Sequence, residues 1–225
     1  MAEGPAGRVL AELRRRIVMN EMTPGRVLTE LAVAAALGCS QAAVREALLR
    51  LEGEGLVLRA GRQGTTVTDL DADTAAEMLD LRRRIELRGA RRVVRRVVAG
   101  DIAALEEIQR AMEAAAARGD DWGVLEADME WHAALFRVSG LHAMAPILAR
   151  CMLHTHRFRL WAPWHRRPLA ATAARHLPIL AALRAQDAPG LARELGGHLD
   201  TIVERRVFAG VARRAAADEI RRNVA

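Results

Sequence analysis

The sequence predicts a mainly α-helical protein. A winged helix-turn-helix of three helices and a β-hairpin wing comes first, and an all-α antiparallel helical bundle follows. Ala and Leu dominate over β-branched residues across most of the chain, which favours helix. Apolar residues recur at helical spacing along nearly the whole length. The exception is "LVLRAGRQGTTVTDL", residues 56–70, where two β-like runs flank glycines.

Taken in order, Val9, Leu10, Leu13, Ile17 and Val18 make residues 8–22 an amphipathic helix, closed by a turn at Pro24-Gly25. A second helix, residues 29–36, is expected to pack through Leu31, Ala32 and Ala35. Gly38 ends it, and Ser40 caps a third helix that points Val44, Ala47, Leu48 and Leu51 inward. Gly55 stops that helix. Residues 56–58 and 65–68 then form the hairpin, turning through Gly61 and Gly64 with Arg59 and Arg62 at a basic tip. The boundary falls in "DLDAD", residues 69–73, giving domains 1–72 and 73–225. Beyond it, helices are expected at 74–98, 101–117, 121–138, 141–161, 168–186 and 189–216. Breaks are expected at Gly100, Gly119, Gly140, Pro163 to Pro168 and Asp187 to Gly190.

The chain has 225 residues, 51% of them hydrophobic, enough for one large core or two modest ones. Its 34 basic residues are all Arg and face 28 acids, for a net charge of +6. Residues 1–70 hold nine Arg against eight acids, so affinity for a polyanion at that end must come from local arrangement rather than bulk charge. Two cysteines, Cys39 and Cys151, form neither a metal framework nor a convincing disulfide, as expected of a reduced, cytoplasmic protein. No apolar run approaches the ~18 residues of a membrane span. The N-terminus has no uninterrupted apolar stretch of the kind a signal peptide needs.

The entrance of the third helix carries polar chemistry that its packing does not need. Gln41, Ala42 and Arg45 face outward near its N-terminus, the end that recognition helices present to base edges in the major groove. Arg45 can give two hydrogen bonds to a guanine, and Gln41 can pair with an adenine edge. Ser40 and the first backbone N–H groups suit a phosphate. Arg62 and Gly64 on the wing suit the backbone or minor groove. A neighbouring acid could instead occupy Arg45, but the helix–turn–helix–wing order favours a double-stranded DNA operator.

In the helical domain, Asp128 and His132 in "ADMEWHAALFRVSG" are four residues apart and share one helix face. His176 and His198 lie on the next two helices, on either side of the Asp187–Gly190 turn and at similar heights from it. One carboxylate and three imidazoles can so converge, a donor set for Zn, Ni, Mn or another divalent ion. A lone helical His is more often a satisfied or exposed side chain, and spacing leaves both readings open. His142, His154, His156 and His165 are background on this reasoning.

"MTPGRVLTELAVAAALGCSQAAVREALLRLEGEGLV", residues 22–57, resembles the N-terminal signature of GntR-family transcriptional regulators. Pro24, Gly25, Leu28, Glu30, Gly38, Ser40, Val44, Arg45, Glu46, Ala47 and Leu48 carry the resemblance, whereas Gln41, Ala42 and Ala43 depart from the usual Arg-Thr-Pro. The D-x-x-W-H element at 128–132, then "FRVSG", "RH" and "GGH", resembles the FCD (FadR C-terminal) effector domain of one subgroup. That resemblance implies a divalent metal on Asp128, His132, His176 and His198, which helps hold a small carboxylate effector. It also makes Arg82 the motif Arg and Glu86 the motif Glu of an R-x-x-L-E-like element. A buried Arg is costly unless an anion meets it, so Arg82 is expected at the effector, with Arg157 or Arg159 as a second clamp.

The implied protein is a metabolite-responsive regulator, most often a repressor, whose homodimer binds a pseudo-palindromic operator. It is not an enzyme. The alternatives are a metal-dependent enzyme acting on a small carboxylic acid, or a DNA-binding protein with purely structural histidines. The enzyme reading lacks a general base, since Glu130 lies on another helix face from Asp128, and it leaves residues 8–68 unexplained.

Overall fold

The computed structural model describes residues 4–59, 64–161 and 167–202. The chain divides into two compact units, Met1–Leu70 and Asp71–Ala225. The first contains α1 (Pro5–Val18), β1 (Val27–Leu28), α2 (Glu30–Leu37), α3 (Gln41–Gly53), β2 (Val57–Arg59) and β3 (Thr65–Val67). Helix α1 starts three residues before the expected position because Pro5 stands in its first turn, where a missing N–H leaves nothing unsatisfied. Its buried stripe, Val9, Leu10, Leu13, Ile17 and Val18, packs with Val44, Ala47, Leu48 and Leu51 of α3.

Turn chemistry between these helices follows the sequence closely. Gly38 closes α2 at φ 61°, the left-handed conformation that glycine adopts without strain. Ser40 Oγ accepts from Ala43 N–H at 3.2 Å. At the other end of α3, Leu56 N–H donates to Leu51 and Gly55 N–H to Glu52, both at 2.9 Å. This pair of bonds is the Schellman arrangement.

Two expectations for this unit need correcting. Helix α2 buries Val33 and Ala34, while Leu31 is 68% exposed and Ala32 and Ala35 also face outward. Residues 31–37 are all apolar, so no polar stripe sets the phase and docking on α3 decides it. The wing also has a third strand. Val27 and Leu28 pair antiparallel with Thr66 and Thr65, giving the order β1-β3-β2.

The second unit contains α4 (Ala72–Val94), α5 (Ala99–Ala117), α6 (Asp121–Val138), a 3-10 turn at His142–Met144, α7 (Ala145–Trp161), α8 (Leu169–Ala174), α9 (Leu177–Arg184) and α10 (Ala188–Asp200). Asp71 caps α4 by accepting from Thr74 N–H at 2.7 Å. The helix expected over 168–186 is two helices, broken at Arg175-His176. Pro178 lies four residues after Ala174, and its ring would clash with that carbonyl in a continuous helix. Gly100 lies inside the first turn of α5, so the preceding break falls at residues 95–98. Asp187 caps α10 with its side chain, and Ala188, Pro189 and Gly190 are already helical. Arg62, His165 and the helical expectation beyond 202 lie outside the described residues. Among the described residues, no single helix is long and apolar enough to cross a membrane.

The core of this unit gathers Leu79, Val93, Leu105, Met112, Trp131, Leu135, Ile179, Leu183, Leu191, Leu195 and Leu199. Beside it Ile85, Phe136, Leu148 and Met152 lock α4, α6 and α7 together. Gly89 makes that approach possible, because a Cβ there would stand 2.9 Å from Phe136 Cε2. The Phe136 ring is buried and cannot swing away. Gly89→Ala is therefore expected to cost about 1–3 kcal/mol by overpacking, measured by chemical denaturation. Unchanged stability would show that α4 and α6 can part freely.

Candidate functional site

In the first unit the front of α3 is open. Ser40, Gln41, Ala42 and Arg45 are exposed, while Ala43, Val44, Ala47, Leu48 and Leu51 are buried behind them. Arg45 is held by Glu30 in the first turn of α2, with Nε 2.9 Å from Oε1 and Nη2 2.6 Å from Oε2. This pairing lowers the Glu30 carboxyl below its ordinary range. The carboxylate takes one edge of the guanidinium and leaves the edge formed by Nη1 and Nη2. A planar guanidinium can serve two bidentate partners in this way. Glu30 and Gly64 also line one groove with Leu28, Thr29, Arg59 and Thr65. Gly64 holds φ 88° there.

The second unit brings together the four residues expected to meet. The candidate ligand atoms of Asp128, His132, His176 and His198 all lie within 4.8 Å of one another, and all four residues are buried. Helix α6 supplies Asp128 and His132 one turn apart, and α10 supplies His198. The Pro178 break sets His176 at the start of α9, with its ring centroid 4.8 Å from that of Trp131. The imidazoles also touch one another, His132 to His198 at 4.9 Å and His176 to His198 at 4.6 Å between centroids.

Hydrogen bonding on the far side of the rings sets what they show the centre. His132 Nδ1 lies 2.6 Å from Glu86 Oε2, and His176 Nδ1 lies 3.2 Å from the Ala173 carbonyl. Both partners accept, so both Nδ1 atoms carry the proton and both Nε2 atoms present lone pairs. His176 Nε2 stands 3.2 Å from Asp128 Oδ1 with no hydrogen-bond partner among the described residues. His132 Nε2 stands 3.0 Å from His198 Nε2. Lone pairs facing a carboxylate in a dry core repel unless an electron-pair acceptor sits among them. Donors ~2.1 Å from one divalent ion lie at most ~4.2 Å apart, close to the observed spread, so the residues fit such an ion.

The charge states agree with that fit. Burial lowers His132 and His198 below the ordinary imidazole range, keeping the rings neutral. Burial pushes the other way on Asp128 and Glu86, but the histidines beside them and, for Glu86, Arg82 outweigh it. Asp128 falls well below the carboxylate range, and Glu86 falls to about 2.

Next to the cage stands a basic wall. Arg82, fully buried, gives Nε to Glu86 Oε1 at 2.7 Å and places Nη1 3.4 Å from both Thr155 Oγ1 and His156 Nε2. Its Nη2 is buried with no hydrogen-bond partner among the described residues. Of the two candidate second clamps, Arg159 lies one turn beyond Thr155 and His156, and its buried Nε also lacks a partner among the described residues. Arg157 is buried with its Cζ 4.1 Å above the Trp161 ring. His156, set aside as background in the sequence, belongs to the site. Its Nε2 is 2.9 Å from Asp128 Oδ2, and burial lowers its pKa to about 4. Its only sequence signal is that Thr155, His156 and Arg159 share a helix face.

The two units match separate families. Residues 5–67 match "Bacterial regulatory proteins, gntR family", and residues 77–201 match "FCD domain". The chain is similar to the Nta operon transcriptional regulator of Aminobacter aminovorans, 29% identical over 193 residues, covering 83% of this chain and 89% of the relative. It is also similar to the HTH-type transcriptional repressor RspR of Escherichia coli (strain K12), 26% identical, covering 85% of this chain and 84% of the relative. Its fold matches the solved structure of E. coli McbR/YncC with a TM-score of 0.76 at 21% identity, over 92% of this chain and 98% of the other. This is a family of regulators rather than enzymes. The chain belongs to the GntR family as a DNA-binding transcriptional regulator with an FCD domain.

Proposed function

We propose that the chain is a cytoplasmic, metabolite-responsive repressor that works as a homodimer with reading units on residues 1–72 and sensing units on residues 73–225. Asp128, His132, His176 and His198 would hold a divalent ion, with Zn, Ni and Mn the candidates. The observation that carries this reading is the set of inward lone pairs beside the buried Nη2 of Arg82, which has no hydrogen-bond partner among the described residues. A bound ion supplies a Lewis-acidic positive centre. Around it, Glu86 fixes the His132 tautomer and Arg82 presents an unused N–H pair to an anion. Arg159 and His156 extend the basic wall, and Arg157 braces Trp161. A small organic or sugar acid matches this chemistry. The repressor reading is supported by the name of RspR.

At the other end, Ser40 and the first N–H groups of α3 would hold a phosphate. Gln41 and Arg45 would read bases, Ala42 would lie against the groove floor, and Arg62 with Gly64 would carry the wing. The effector alters DNA binding only if it binds the DNA-competent and incompetent states with different affinity.

Three outcomes are expected. Asp128→Ala and His176→Ala lose most bound metal by elemental analysis and lose the thermal shift with small carboxylic acids, while DNA binding survives. Metal content equal to wild type would remove the site. Arg45→Ala relaxes base preference at one operator position by about 1–3 kcal/mol, read in a competition binding series at fixed salt. Equal loss on all sequences would make Arg45 a phosphate contact.

The third outcome concerns pH. The folded pKa of His156 lies near 4, below the ordinary 6.5, and His132 and His198 are shifted the same way. The unfolded chain therefore takes up more protons between these values. Chelator-treated protein should keep this stability above pH ~6.5 and lose it as pH falls towards ~4. A thermal midpoint that stays flat over this window would show that the rings are not buried neutral.

A further inference from the structure

Helix α4 carries a second pattern on the side opposite Arg82. Asp73, Glu77, Asp80, Arg84, Arg88, Arg91 and Arg95 recur at spacings of three and four residues, which places them in one stripe. All seven are exposed, and none forms an ion pair with a described residue. The acids occupy the first half of the stripe and the arginines the second. A helix face that only meets solvent gains from mixing charges, because neighbours three or four apart then attract. Here 73–77, 77–80, 84–88, 88–91 and 91–95 are like-charge neighbours and 80–84 is the one opposite-charge step of the stripe, so repulsive steps outnumber attractive ones five to one within one chain.

The stripe is complementary to itself when reversed about Arg84. Asp73 and Arg95 lie equally far from that residue, as do Glu77 and Arg91, and Asp80 and Arg88. We infer that α4 lies antiparallel on α4 of a second copy, with the two-fold axis at Arg84. In an isologous contact each pairing occurs twice, so three sequence pairs give six opposite-charge contacts. The arms reach ~16 Å on each side of the axis at ~1.5 Å per residue. Arg84 meets its own copy, and Asp80 of both copies flanks that meeting. Leu81, 43% exposed, adds an apolar edge. Charge pairs of this kind fix register and partner more than they add affinity. The inference rests on the homodimer reading above and specifies where its two-fold runs.

The test uses the full chain in sedimentation equilibrium and oxidative cross-linking. Glu77→Arg sets Arg against Arg91 twice per dimer and is expected to raise the dimer dissociation constant about tenfold or more at low salt. Adding Arg91→Glu to the same chain restores complementarity and should restore the constant. Arg84→Cys, combined with Cys39→Ser, should give a disulfide-linked dimer across the axis, with Cys151 shielded by burial. If wild type is monomeric at all accessible concentrations, the homodimer reading itself fails. If wild type dimerises but Glu77→Arg changes nothing and Arg84→Cys does not cross-link, the dimer stands and the α4 contact is overturned. If Arg91→Glu alone weakens DNA binding and lowers its salt slope without touching dimerisation, the arginines serve phosphates, and the contact is likewise overturned.

Discussion

An ionised carboxylate cannot stand alone in a dry core, and Glu86 is such a carboxylate. It is fully enclosed, one oxygen 2.7 Å from Arg82 Nε and the other 2.6 Å from His132 Nδ1. Removing either partner would strand a buried charge, which is far more costly than never having placed one. The arrangement therefore fixes three things together: the inward turn of Arg82 on α4, the tautomer of His132 on α6, and the spacing of the two helices. Gly89 allows that spacing, and Ala173 plays the same part at the other wall. Its carbonyl takes hydrogen bonds from His176 Nδ1 and from Gln109 Nε2 at 3.0 Å.

What the sequence discloses here is what local chemistry decides. Gly38, Ser40, Gly55 and Asp71 act within a turn of themselves, and each terminates or caps its element as its residue type requires. The Asp128–His132 pair was legible for the same reason, since helical spacing alone puts both on one face. Features set by distant partners were not. The phase of α2 depends on α3, because seven apolar residues in a row offer eight-residue α2 no preference. Strand β1 is two residues long and exists only through β3. His156 shares a helix face with Thr155 and Arg159, but its place beside Asp128 follows from α7 lying against α6. The break before Pro178 is local too, and it sets His176 at the start of α9, where its ring can turn towards the centre.

Arginine appears in this chain in three physical settings. Arg45 shares its charge with Glu30 at the surface, where an ion pair holds geometry more than it adds stability. Arg82 is buried and partly satisfied, with no hydrogen-bond partner for Nη2 among the described residues. Arg84, Arg88, Arg91 and Arg95 are exposed on the single chain, each one turn from another like charge. A net charge of +6 conveys none of this, because burial and the nearest carboxylate decide what each guanidinium can do.

The placement of Arg82 and Arg84 on one helix links two of these settings. Both sit on one α-helix of 23 residues, and rigid secondary elements are among the carriers of coupling between sites. An anion meeting Arg82 on the inner face and a partner meeting Arg84 on the outer face would bear on the same element. Upstream, residues 68–71 lie between β3 and α4, and Asp71 caps α4. Any change that an effector made in DNA binding would be bounded by the difference in its affinity for the DNA-competent and incompetent states. A ligand that bound both states equally would fill the cage and leave DNA affinity unchanged.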